Sequence, residues 1–242
     1  MAAPSLRAVG SFASGTTTCT PGLPAGTAEN DILVMVVECS DADTANTPTD
    51  YTALGTGIGG TTVKGAVFVK RATASESAVA VNGTVNHIHG VIVGVQDADT
   101  AGSPWEIGSW GDNGISTTMT CLGLDTNVDE AFVLQIHVIS DNANDTTNGD
   151  AYTNANLTGI VEIQDQAETT GDGGGSCIAS GVKATAGATG NSTATHDGAV
   201  DSVSVHLAIY PAVVPVGIPI LGMAPYMPES WIPRNPQGWN PW

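Results

Sequence analysis

A chain of 242 residues with 24 acidic and 6 basic side chains carries a formal charge of −18, which repels phosphate backbones and anionic bilayers and so argues against nucleic-acid and membrane-surface partners. Only 12% of the residues are charged while 41% are hydrophobic, which sets the chain apart from disordered acidic segments. Thirty glycines and few Lys, Arg or Glu point away from helices and toward an all-β protein rich in turns, long enough to bury a sizeable core.

In chain order, the opening MAAPSLRAVGSFAS lacks a basic segment followed by a continuous apolar one, so no secretory leader is expected and folding is expected in a cytoplasm. The runs DILVMVV (31–37) and EAFVLQI (130–136) are continuously apolar and suit central strands buried on both faces. In GAVFVKRAT, Val67 and Val69 alternate with Ala66, Phe68 and Lys70. LTGIVEIQ is read with Leu157, Val161 and Ile163 on one face, and SVSVHLAIY with Val203, Val205, Leu207 and Ile209 on one face. Turn-formers separate the strands: GIGG (57–60), DNANDTTNGD (141–150) and TGDGGGS (170–176), the last expected at a hairpin tip. No amphipathic helix is found. The longest apolar run, VVPVGIPILGMA, is interrupted by proline and glycine and too short to span a bilayer.

The chain also repeats itself once. TTTCTPGLPAGTAENDILVMVV, VKRATA and HGVIVGVQDA return as TTMTCLGLDTNVDEAFVLQIHV, GVKATA and VSVHLAIYPA. The spacing between copies drifts from 99 (Asp31 to Glu130) to 112 (Arg71 to Lys183) to 114 (Val91 to Val205), as loop insertions would produce. The expected fold is an antiparallel β-sandwich of jelly-roll or Greek-key type, spanning 1–210 with copies at 11–106 and 116–210.

From Pro211 the character changes. The last 32 residues hold eight prolines and three tryptophans, with Glu229 and Arg234 their only charges. Proline at this density favours an extended chain. Ile218, Ile220, Leu221, Met223, Tyr226, Met227, Trp231, Ile232, Trp239 and Trp242 would be costly to leave in water and are read as the docking residues of an arm on a neighbouring subunit or partner.

Candidate chemistry is sparse. His87 and His89 share a strand face in NHIHG, a two-ligand metal edge without a third ligand. His196 and Asp197 lack a recognisable nucleophile, and the acidic loops 41–46 and 141–150 lack the EF-hand spacing for calcium. Asn82, Asn144, Asn156 and Asn191 begin sequon-like triplets that matter only on a secretory route. Cys19, Cys39, Cys121 and Cys177 are isolated. They are read as buried free thiols, although an even count also permits two bridges. No catalytic, cofactor or metal site is expected.

Leu23 to Asp31 (LPAGTAEND), Arg71 to Glu76 (RATASE) and Gln96 to Pro104 (QDADTAGSP) together resemble the β-sandwich structural proteins of tailed-phage virions. Val95-Gln96 departs from the Gly-Val usual before the aspartate there. The resemblance covers about residues 20–106, with a fainter echo in the second copy. It implies a non-enzymatic decoration (cement) protein on the outer capsid surface, assembled in the host cytoplasm. Its implied partners are the major capsid protein and copies of itself, a trimer suiting the symmetry of a shell facet. The competing expectation is a tail or fibre module for receptors or carbohydrates, using Trp105, Trp110 and acidic loops. Those two tryptophans flank EIGS in a stretch that also reads as the hinge between copies.

Overall fold

The computed structural model describes residues 3–41, 44–141 and 148–212. The ten docking residues expected beyond position 212, from Ile218 to Trp242, lie outside the described residues, as do the centres of both acidic loops. Every described element is a strand. The first half supplies β1 (Ser5–Val9), β2 (Ala13–Gly15), β3 (Thr18–Cys19), β4 (Ile32–Ser40), β5 (Thr52–Gly59), β6 (Val63–Arg71), β7 (Val81–Asn82) and β8 (Ile88–Gln96). The second supplies β9 (Trp105–Ile107), β10 (Gly111–Cys121), β11 (Asp125–Thr126), β12 (Ala131–Ile139), β13 (Asp150–Thr153), β14 (Thr158–Glu168), β15 (Gly174–Lys183), β16 (Gly187–Ala188) and β17 (Ser192–Ile209).

Each half builds one antiparallel sheet of its own. The first runs β1-β8-β4-β6-β5 with β2 also on β8, the second β10-β17-β12-β15-β14 with β9 and β13 also on β17. Relative to the 4-1-2-3 order of a Greek key, the two strands of the β5–β6 hairpin, and of β14–β15, are interchanged. A two-stranded flap, β3–β7 in one half and β11–β16 in the other, accompanies each sheet. The two sheets pack face to face through Ile32, Val34, Val36, Val67, Val91, Phe132, Leu134, Ile136, Val205 and Leu207, among others. Fully burying each such side chain contributes about 1.5–3 kcal/mol.

The packing has an approximate two-fold symmetry. β4 lies against β12 and β15, β6 against β12 and β17, and β8 against β15. Exchanging the halves (β4 with β12, β6 with β15, β8 with β17) turns each of these contacts into another of the set, the signature of an isologous interface. The register corrects the repeat spacing. Val36 pairs with Val67 and Val91, and Ile136 pairs with Ile178 and Val205. All six point into the inter-sheet core. Equivalent positions are therefore 100, 111 and 114 apart; the first two differ by one from the sequence-derived values, and a one-residue slip would turn every side chain to the opposite face.

β4 and β12 are buried along their whole length, because flaps and loops cover the outer face of each sheet. Leu33, Met35, Val37 and Phe68 meet Cys19, Tyr51 and Val81 on one side. Val133 meets Leu124 and Leu157 on the other. The expected faces of GAVFVKRAT and SVSVHLAIY are present. That of LTGIVEIQ is not: β14 shifts register at Thr158/Val161 and again at Glu162/Gln164. Consequently Leu157 and Ile160 pack outward under a loop, Ile163 packs inward, and Val161 is 58% exposed.

Candidate functional site

Three segments far apart in sequence converge on one guanidinium. Arg71, the last residue of β6, donates from Nη2 to the Gly102 carbonyl at 3.2 Å and from Nη1 to the Asn30 carbonyl at 3.5 Å. The stretches 23–31, 71–76 and 96–104 thus meet at one end of the first sheet. Asp31 is fixed there too: it accepts from Arg7 Nη2 at 2.9 Å, pairs with Arg7 Nε, and accepts the Ala28 amide at 2.8 Å.

Beside Arg71 opens a cleft of about 310 Å³ lined by Asp50, Thr52, Lys70, Thr73, Glu76 and Trp105, among others. Its floor is locked. Glu76 Oε2 accepts from Lys70 Nζ at 2.7 Å, and Oε1 accepts from the Thr73 amide at 2.7 Å and the Thr73 hydroxyl at 3.0 Å. Partial burial opposes ionisation of Glu76, but these donors outweigh it and hold its pKa below the usual range. Lys70 Nζ also lies 5.4 Å from the centroid of the Tyr51 ring. Trp105, on β9, is held by pairing with Ile209 of β17 and by packing on the inter-sheet core. Trp110 is committed elsewhere: a Cβ on Gly57 would lie 2.4 Å from its Cε3, and one on Gly65 2.7 Å from its Cζ3. Its indole is therefore a wedge between sheets. Of the two tryptophans, only Trp105 lines the cleft.

The second polar feature is fully buried where the sheets meet. Glu38, on the inner face of β4, places Oε2 3.0 Å from His87 Nε2. His87 Nδ1 reaches the Thr170 carbonyl and lies 3.8 Å from Glu168 Oε1. A carbonyl can only accept, so Nδ1 carries a proton, and a further proton lies between Nε2 and Oε2. Burial pushes Glu38 up to about 7. Burial alone would lower His87, but its bond to Glu38, the Glu38 charge and Thr170 outweigh that and raise it. Gly174 makes room for the carboxyl, since a Cβ there would lie 2.5 Å from Glu38 Cδ. The TGDGGGS stretch is thus a turn only as far as Gly173 and core from Gly174.

His87 and His89 do not converge on a common point. His89 Nε2 meets Ser176 Oγ at 3.1 Å, and its ring stacks on Phe12. Among the described residues no group of three or more ligating side chains forms. His196 accepts the Gly198 amide on Nδ1 at 3.0 Å and faces Asp141 through Nε2 at 3.5 Å, while Asp197 is exposed. The four cysteines are buried free thiols. Burial pushes Cys19 up to about 12 and drives Cys121 and Cys177 well above the ordinary thiol range, so they stay protonated and inert.

The sequence reading missed Glu38, Gln135, His137 and His206, all buried. His137 Nδ1 meets Ser204 Oγ at 2.7 Å and His206 Nε2 meets Ser192 Oγ at 2.7 Å. Burial lowers His89 and His137 to about 3 and His206 to about 4, so all three are neutral imidazoles in the fold. Glu38 ends an otherwise apolar run on the inner face of β4, whereas for Gln135, His137 and His206 the signal was a polar residue at every second position of a strand whose other face is apolar. That pattern reads as solvent-facing unless the covering segment is known. Scans against protein-family models, curated proteins and solved structures found no match to this chain.

Proposed function

We propose that this protein is a non-enzymatic structural component of a tailed-phage particle, a decoration protein seated on the outer shell. What carries the reading is the division of the chain near Tyr210. The body holds 23 acids and 5 bases, whereas the last 32 residues hold one of each together with eight prolines and three tryptophans. The chain leaves the body from a fixed point, where Tyr210 donates its amide to Pro104 and its carbonyl accepts from Asp99. In this reading the acidic sandwich faces solvent, and the apolar segment clamps neighbouring major capsid subunits. Many such contacts around a shell gain from effective concentration. Self-association, as a trimer, belongs to the same proposal. The meeting of the three resemblance segments at Arg71 supports it by giving those residues a shared task in the fold.

The test compares the intact chain with residues 1–210, by mass in solution and by co-sedimentation with purified empty phage capsids. The expected result is a folded truncated body that no longer binds or stabilises shells. A folded body that still binds would move the contact surface to the sandwich. A body that unfolds on truncation would make the C-terminal segment an internal strap.

A further inference from the structure

We infer that the cleft between Trp105 and Arg71 is a binding site for a neutral saccharide. This inference is independent of where in a particle the protein sits. Of the ten residues lining the cleft, eight carry polar side chains and only Val79 and Trp105 are apolar. A purely hydrophobic ligand would leave those polar groups desolvated without partners. A polyanion is also disfavoured: Asp50 and Glu76 face the same space as Lys70 and Arg71, so the cleft is locally neutral within a chain of charge −18. Lys70 is further occupied by Glu76 and unavailable as a free cation. What fits is a small, neutral, polyhydroxylated ring with one apolar face.

The lining combines the two kinds of contact such a ring needs. Trp105 supplies a broad, flat apolar surface fixed by the core. In the same lining, Asp50 offers acceptors, and the Arg71 fork, with two of its five donors engaged on carbonyls, retains the remainder for hydroxyls. Asp50 sits at a turn with φ of 64°, and the Glu76–Lys70–Thr73 floor is already hydrogen-bonded, so little ordering entropy is lost on binding. A volume of about 310 Å³ is at the small end of ligand sites and suits one or two sugar rings.

The experiment uses the full chain and ligand-observed saturation-transfer NMR, followed by calorimetric titration. The probes are the methyl glycosides of glucose, galactose, mannose and N-acetylglucosamine, with glucuronic and sialic acids as acidic comparators. Ser75→Tyr fills the cleft from an exposed position on its rim; Asp50→Asn removes a charged acceptor while keeping a side chain that tolerates positive φ. At least one neutral glycoside is expected to bind, with affinity reduced at least tenfold by Ser75→Tyr and severalfold by Asp50→Asn at unchanged Tm. Binding untouched by Ser75→Tyr, preference for the acidic sugars, or no binding by any neutral probe would each overturn the assignment.

Discussion

Gly57 and Trp110 show how narrowly single positions are specified. An alanine at 57 must displace an indole ring wedged between sheets, so Gly57→Ala is expected to cost about 1–3 kcal/mol in urea unfolding. Pairing it with Trp110→Leu should recover part of that loss, and strict additivity of the two changes would contradict the contact. Gln135 makes the opposite case. Its side chain is fully buried, and neither its Nε2 nor its Oε1 has a hydrogen-bond partner among the described residues. Gln135→Leu should therefore stabilise by about 1–2 kcal/mol, since the desolvation cost of an unpaired amide is removed. The histidines set the pH response. His89, His137 and His206 are neutral in the fold but bind protons when unfolded below about 6.5. Their contribution is lost as pH falls from there toward 3–4. Glu38 and His87 act with the other sign. Both are raised, so the folded state holds their protons longer, and stability declines as pH rises from about 4.5 to 7 through Glu38 and beyond 6.5 through His87. Tm measured from pH 4 to 9 should peak near neutrality, and Glu38→Gln should flatten the alkaline limb; an unchanged limb would show that the pair does not share its proton.

Among the elements, the central strands were legible because continuous apolar runs such as ILVMVV have no other comfortable place than between two layers. The alternating strands were half legible. Val203, Val205 and Leu207 announced the inner face, but Ser204 and His206 on the other face are equally buried, because β10 and the β11–β16 flap cover them and serines satisfy the imidazoles. No local pattern encodes that cover. β14 was misread because two register shifts break its period, and bulges leave no reliable trace in residue type. Such irregularity suits an edge strand, which must avoid pairing with another chain. Restoring a regular β14 by deleting Gly159, whose φ is 61°, should therefore promote concentration-dependent association, readable by sedimentation velocity. The cleft was legible only in part. Trp105 was singled out and Glu76 lay in the quoted RATASE stretch, but Asp50 and Trp105 reach Lys70 and Glu76 only through the fold, at separations no motif spans.

At the scale of the molecule, the repeat is a matter of symmetry. Ser40 donates its amide to the His87 carbonyl at 3.2 Å, and Ser140, 100 residues later, donates to the Asp201 carbonyl at 3.0 Å. Each hairpin tip crosses to the opposite half at that place: Thr62 donates to Asp201 at 2.7 Å, as Thr170 accepts from His87. The connector from Asp97 to Pro104 makes this association intramolecular, so the docking of the two halves adds no dependence of the unfolding midpoint on protein concentration. Cutting the connector within its exposed 101–103 stretch should leave the halves bound but make the midpoint concentration-dependent; a nicked protein whose midpoint ignored dilution would mean that the sheets are held by more than their mutual face. The covalent link also has an evolutionary reading. In a dimer of identical chains, any acid placed near the axis arrives with its twin, and two buried charges must be accommodated at once. Here the position equivalent to Glu38 is Val138, and that equivalent to His87 is Asp201. Fusion lets one half keep an inert hydrocarbon where the other acquires an ionisable residue, so novelty can be tried in a single copy while its counterpart preserves the shape.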